Sequence, residues 1–243
     1  MKNQDYLYLD HAASTPMRKS AMDKYIEAES YGYANSSGGH KLSRNSKNLL
    51  EDSREKIAEL LNAAQGEIVF TSGGTEADNW TIKSLFNSER PNDNLVTSNI
   101  EHEAVIASAE WVSSNGFHTK YAKSDKNGLV TKDEFLDQVD NDTKVASLMW
   151  GNNETGIIQP IKDIAREIKT INSSTLFHSD VVQGIISDNI DFHKNGIESA
   201  AVSAHKIGGP KGVGAMFINS NHKLPSFLHG GKQELERRDV FDV

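Results

Sequence analysis

The stretch AAVSAHKIGGPKGVGAMFI at residues 200–218 places two short apolar runs on either side of one lysine and a glycine-rich turn. AAVSA at 200–204 and VGAMFI at 213–218 have the length and composition of buried strands. Between them Lys206 follows His205, and glycines at 208, 209, 212 and 214 allow close backbone approach or positive φ. An amine becomes a nucleophile toward a carbonyl once a useful fraction is deprotonated, and partial burial beside positive charge favours that. Lys206 is therefore a candidate Schiff-base lysine. The alternative is a lysine snorkelling from a strand end above a plain hairpin.

Outward from this turn, short apolar strands alternate with helical patterns. EIVFTS at 67–72, LVTS at 95–98, an extended piece near 117–122, VASLMW at 145–150 and LFHSD at 176–180 read as further strands. Helices are expected at about 16–30, with Thr15 as cap and Pro16 as first helical residue, and at about 41–62, 75–86 and 101–114. Thr131 and Glu134 form a capping-box pattern ahead of a short helix, and 161–171 places Ile161, Ile164, Ala165, Ile168 and Ile171 on one helical face. This order predicts an α/β fold with a mainly parallel sheet between helices.

The chain's 243 residues suffice for one large domain, and 37% hydrophobic with 25% charged residues is a globular balance. A net charge of −8 with no long basic block gives no nucleic-acid signal. No apolar run approaches about 18 residues and the N-terminus lacks a signal-peptide pattern, so a soluble cytoplasmic protein is expected. Cysteine is absent, which excludes a disulfide framework and a thiolate metal site from these residues, and no metal site is expected.

Other motifs fall after apolar strands, where an α/β sheet gathers its ligands. TSGGTE at 71–76 can turn successive N–H groups and hydroxyls toward a phosphate at a helix start, or be a plain cap by Thr75 with Asp78. Asp180 with Gln183 suits a protonated ring nitrogen and a phenolic oxygen on a pyridine cofactor, or a helix cap. His102 can stack on a planar ring, or make a structural hydrogen bond at a partly buried helix start. NNETG at 152–156 is a ligand loop or a polar turn.

Together, YLDHAASTP at 8–16, FTSGGTEADN at 70–79, NNETG, the D-x-x-Q at 180–183 and SAHKIGGPKGVG at 203–214 make the chain closely resemble the cysteine desulfurases of the NifS/IscS type, in the class V aminotransferase group. The resemblance runs to about Glu234. It implies a pyridoxal 5'-phosphate (PLP) enzyme of fold type I, with residues 1–15 as an N-terminal segment associated with the small domain and 16–243 as the PLP-binding large domain. It implies that Lys206 holds the cofactor aldehyde and moves the substrate Cα proton, and that His102 stacks on the ring. Asp180 pairs with the ring nitrogen, Gln183 and Asn153 touch the ring-oxygen side, and Gly74, Thr75, Ser203 and His205 hold the phosphate. L-cysteine is the implied substrate, a sulfur acceptor or iron–sulfur scaffold the partner, and a homodimer the assembly.

Departures follow the lysine turn. The family's nucleophilic cysteine and its small-Gly-Thr segment have no counterpart, and after Glu234 the chain reads LERRDVFDV, where Arg237 or Arg238 matches the family's arginine. A small C-terminal domain of about 100 residues or more is expected to be largely absent, interrupting the large domain at its C-terminal end. A truncation or frameshift near 238 would account for this. The chain alone is then not expected to complete sulfur transfer. Two other readings stand beside this one: a PLP-dependent aminotransferase or lyase without a cysteine nucleophile, and an inactive fragment or interaction protein.

Overall fold

A computed structural model describes residues 7–86, 90–185, 190–229 and 234. Its sheet comprises β1 (Ile68–Thr71), β2 (Asn94–Ser98), β3 (His118–Ala122), β4 (Thr143–Ser147), β5 (Leu176–Asp180), β6 (Ser199–Ser203) and β7 (Gly214–Ile218). The strands lie in the order β1-β7-β6-β5-β4-β2-β3. β2 runs parallel to β3 and β4, and the β4–β5 and β5–β6 pairs are also parallel. β7 is antiparallel to β6 and to β1. The expected mainly parallel sheet is present, and the antiparallel β6–β7 pair makes the lysine turn a hairpin-like connection as well.

Successive strand residues point to opposite faces, and here both faces are covered. Val96, Ala146, Phe177, Ala200 and Phe217 pack into one core with Ala58 of α2 (Lys41–Leu60), Phe135 of α5 (Lys132–Leu136) and Ile161, Ile164 and Ile168 of α6 (Ile161–Ile171). Their neighbours Leu95, Val145, Leu176, Ala201 and Met216 face α3 (Gly74–Ser84) and α4 (Glu103–Ser114), through Trp80, Ile82, Val105 and Ala109. Double coverage explains why every residue of β2, β5, β6 and β7 is buried, whereas edge strand β3 is half exposed. In α6 the expected apolar face is buried except for Ile171, which is exposed at the last turn.

Several boundaries differ from the sequence pattern. α1 spans Lys19–Tyr31 with Arg18 at its cap, not a start at Pro16. Thr15 is occupied elsewhere: its N–H and Oγ1 both donate to the His205 carbonyl, and Oγ1 accepts the Gly208 N–H. The residue read as a helix cap is instead a clasp on the lysine turn. β4 ends at Ser147 rather than 150, although Leu148 and Trp150 still donate backbone bonds to His178 and Asp180. α3 begins at Gly74, so Thr75 lies inside the helix and the Thr75 cap is not formed. Gly230 to Gln233 and the LERRDVFDV segment lie outside the described residues.

Candidate active site

The carboxyl ends of β1, β5 and β6, the loops after β2 and β4, and the turn before β7 open onto one cavity of about 520 Å³. All nine residues assigned on sequence grounds, Gly74, Thr75, His102, Asn153, Asp180, Gln183, Ser203, His205 and Lys206, line it. The family resemblance named Gly74, Thr75, Asn153, Ser203 and His205, the position after an apolar strand pointed to Lys206 and Asp180, and the mainly parallel sheet brings them together.

Lys206 ends a single 3-10 turn, Ala204–Lys206, directly after β6. Its Nζ donates to the Ala12 carbonyl at 2.6 Å, and Gln183 Nε2 donates to the same oxygen at 2.8 Å. Partial burial lowers the Lys206 pKa, against the opposing pull of the Asp180 and Asp10 carboxylates. Beside it His205 Nδ1 lies 3.2 Å from Ser14 Oγ, and burial with the charges of Lys206 and Lys211 lowers its pKa. The N-terminal segment at 12–15 thus forms one wall of the cavity and holds the lysine turn in place.

The opposite wall is the start of α3. Gly73, the cap residue, has φ +152° and ψ −177°, a conformation reserved for glycine, and no side chain caps the helix. A Cβ on Gly74 would lie 2.8 Å from Val182 Cγ2, so the backbone approaches the β5 loop closely. Ser72 N–H and Oγ both donate to Glu76 Oε2, which leaves the helix start facing the cavity. Ser203 Oγ lies 3.8 Å from where a Gly73 Cβ would stand.

Asp180 ends β5, and its Oδ1 accepts the Val182 N–H at 2.9 Å. Burial and the Asp78 carboxylate push its pKa up, while the Val182 N–H, His102 and His178 oppose the shift. His102 caps α4 through Nδ1, which accepts the Ala104 N–H, so the expected structural hydrogen bond is formed, on an exposed rather than partly buried ring that lines the cavity. In the β4 loop the polar-turn role belongs to Asn152, whose Oδ1 accepts the Glu154 and Thr155 N–H groups; Asn153 is left to face the cavity.

Sequence reasoning missed a buried layer beneath these residues. Asp78, from α3, lies 3.0 Å through Oδ1 from His178 Nε2, and His178 Nδ1 lies 3.1 Å from Ser199 Oγ. One polar atom from each of Asp78, His102 and Asp180 falls within 4.8 Å of the others. Glu101 adds a third buried carboxyl, bonded by Ser98 Oγ and the Met149 N–H. Burial pushes Asp78 and Glu101 each up to about 8 and His178 down to about 4. The available signal was strand periodicity, which puts His178 and Asp180 on the same face of β5.

The arrangement combines a half-buried amine, a helix start that no side chain caps and a buried acid. It fits PLP: the glycine backbone leaves room for a phosphate, and Asp78 Oδ2 is buried with no partner among the described residues.

Comparison with known proteins gives the same direction. The chain is 39% identical over 233 residues to a cysteine desulfurase IscS of Methanosarcina thermophila, an alignment covering 96% of this chain and 57% of that protein. A solved NifS-like protein superposes with TM-score 0.94 at 35% identity, covering 97% of this chain and 65% of the other. A structure of SspA in complex with cysteine gives 0.92 at 33% identity, covering 98% and 69%. The chain therefore spans somewhat more than half the length of the curated relative it matches. Its architecture is the fold type I arrangement of PLP enzymes, similar to the cysteine desulfurases. With residues 7–239 matching the family Aminotransferase class-V, the chain belongs to that family.

Proposed function

We propose that this chain binds PLP at Lys206 and works in cysteine desulfurase-type chemistry on L-cysteine. The observation that carries this reading is the convergence of Lys206, Asp180, His102 and the Gly73–Thr75 helix start on one cavity. When bound, PLP supplies an aldehyde for primary amines and a ring that takes up electrons.

The chain's residues would hold and orient that group. Gly74 and Thr75 N–H groups, with Ser203 and His205, take the phosphate at the positive end of α3. Asp180 would hold a proton on the ring nitrogen, His102 would pack against the ring, and Gln183 and Asn153 would bond the ring oxygen. Lys206 Nζ then moves the proton at the substrate Cα. Its lowered pKa keeps more of the amine unprotonated at neutral pH.

These 243 residues contain no cysteine, so sulfur removed from the substrate must pass to a thiol outside them. A separate sulfur acceptor or iron–sulfur scaffold, and a homodimeric assembly, complete the reading. The same lack of a thiol favours one alternative, an aminotransferase or lyase that uses Lys206 alone. Alanine release from L-cysteine on addition of a thiol acceptor supports the desulfurase; turnover independent of any thiol supports the alternative.

The cofactor step is tested by titrating the purified chain with PLP and recording visible absorbance. The wild type is expected to give a saturable band that Lys206→Ala abolishes. A band that survives in Lys206→Ala would overturn the assignment.

A further inference from the structure

Two buried carboxyls, Asp78 and Asp180, line the cavity with oxygens within 4.8 Å of each other and of a His102 ring nitrogen, and Glu101 is a third buried carboxyl in the loop after β2. Charges so close in a dry site cannot all be ionised. Asp180 Oδ1 accepts the Val182 N–H at the mouth of the β5 loop. Asp78 is placed differently. It is 1% exposed, its Oδ1 meets the fully buried His178, and its Oδ2 has no partner among the described residues although it borders the cavity.

Resting on the PLP reading, we propose that Asp78 keeps its proton and, through His178 and Ser199, acts as a neutral positioning residue beneath Asp180, so that Asp180 alone presents negative charge to the ring nitrogen. The hydrogen bonds run in one direction. Asp78 O–H donates to His178 Nε2, and His178 Nδ1–H donates to Ser199 Oγ, which lies 2.8 Å from Thr81 Oγ1. The groups facing Asp78 favour this state. Asp180 has a carboxylate oxygen within 4.8 Å, where two anions repel, burial pushes the Asp78 pKa up, and His178 is buried where an imidazolium is costly. His102, within 4.8 Å of both Asp78 and Asp180, opposes the rise of the Asp180 pKa.

The neutral state fixes the tautomer of His178, which can be read without cofactor. Nitrogen NMR of the full chain at pH 7, assigned with His178→Gln, is expected to show a neutral ring with its proton on Nδ1. Carbon NMR, assigned with Asp78→Asn, is expected to show a protonated Asp78 carboxyl. An imidazolium, an Nε2–H tautomer or an ionised Asp78 would overturn the proposal, whatever the fate of the PLP reading.

With PLP added, Asp78→Ala is expected to weaken binding about tenfold, and Asp78→Asn, whose amide reproduces the neutral donor, to restore it to within about threefold of wild type. The pH midpoint of the bound-cofactor absorbance should stay within about 0.3 unit in Asp78→Asn; a shift of about one unit or more would mean that Asp78 carries charge, and the proposal fails. Equal affinity in Asp78→Ala and wild type would also defeat it. Failure of the wild type to bind PLP defeats the cofactor reading alone, and the NMR result still decides the proton.

Discussion

Lys206 and Asp180 could be placed at the cavity from sequence because each lies at the end of an apolar strand within a distinctive local motif. Asp78 could not, because its partner His178 is 100 residues away and only the folded sheet joins them. Thr15 was misread for the same reason: a local pattern suggested a cap, whereas the fold gives it two backbone partners in the lysine turn. Thr15→Val should therefore weaken PLP binding several-fold by loosening residues 205–208, as measured by titration. Asp78 and Glu101, whose folded pKa values are raised to about 8 by burial, make stability depend on pH in a defined sense. Their contribution is full below the unfolded carboxylate value of about 4 and is lost as pH rises through about 8. Denaturant melts between pH 5 and 8 should show falling stability, with a shallower fall in Asp78→Asn.

At the scale of elements, α3 begins where glycine alone fits. Gly73→Ala forces a side chain into φ +152°, at a cost of about 1–3 kcal/mol, and should weaken PLP binding together with stability. α6 shows the opposite case, an element stabilised by its apolar stripe. Ile164 is fully buried, and Ile164→Ala should cost about 2–5 kcal/mol in a urea melt while leaving the cavity residues in place. The stripe was legible because helical spacing repeats within one segment. The start of α1 was not, since Pro16 satisfies the local rule for a first helical residue while the chain at 12–15 is recruited to the cavity wall. Nor did spacing alone reveal that β7 runs against its neighbours.

For the molecule as a whole, long-range polar links tie the sheet to the segments around it. Arg54, 2% exposed, donates to both carboxylate oxygens of Glu234 at 2.6 and 2.8 Å, and Glu234 also accepts the Phe70 N–H. Removing one partner strands a buried charge, so Arg54→Met should cost about 3–5 kcal/mol by denaturant unfolding. Near the β5–β6 starts, burial pushes the Glu198 carboxyl up, but bonds from His222, Lys169 and the Phe177 N–H hold it below the ordinary range. That contribution is present above about pH 4.3 and is lost as pH falls through the lower folded value. No helix among the described residues is long and apolar enough to cross a membrane. The sheet was legible as alternating strands and helices, while these links join residues as far as 180 positions apart and leave no local signature. The central claim is that this sheet delivers one lysine to a PLP site. Borohydride reduction of the chain after incubation with PLP, followed by peptide mass mapping, tests it directly: a single stoichiometric pyridoxyl adduct on Lys206 is predicted, and an adduct spread over surface lysines, or none, would contradict it.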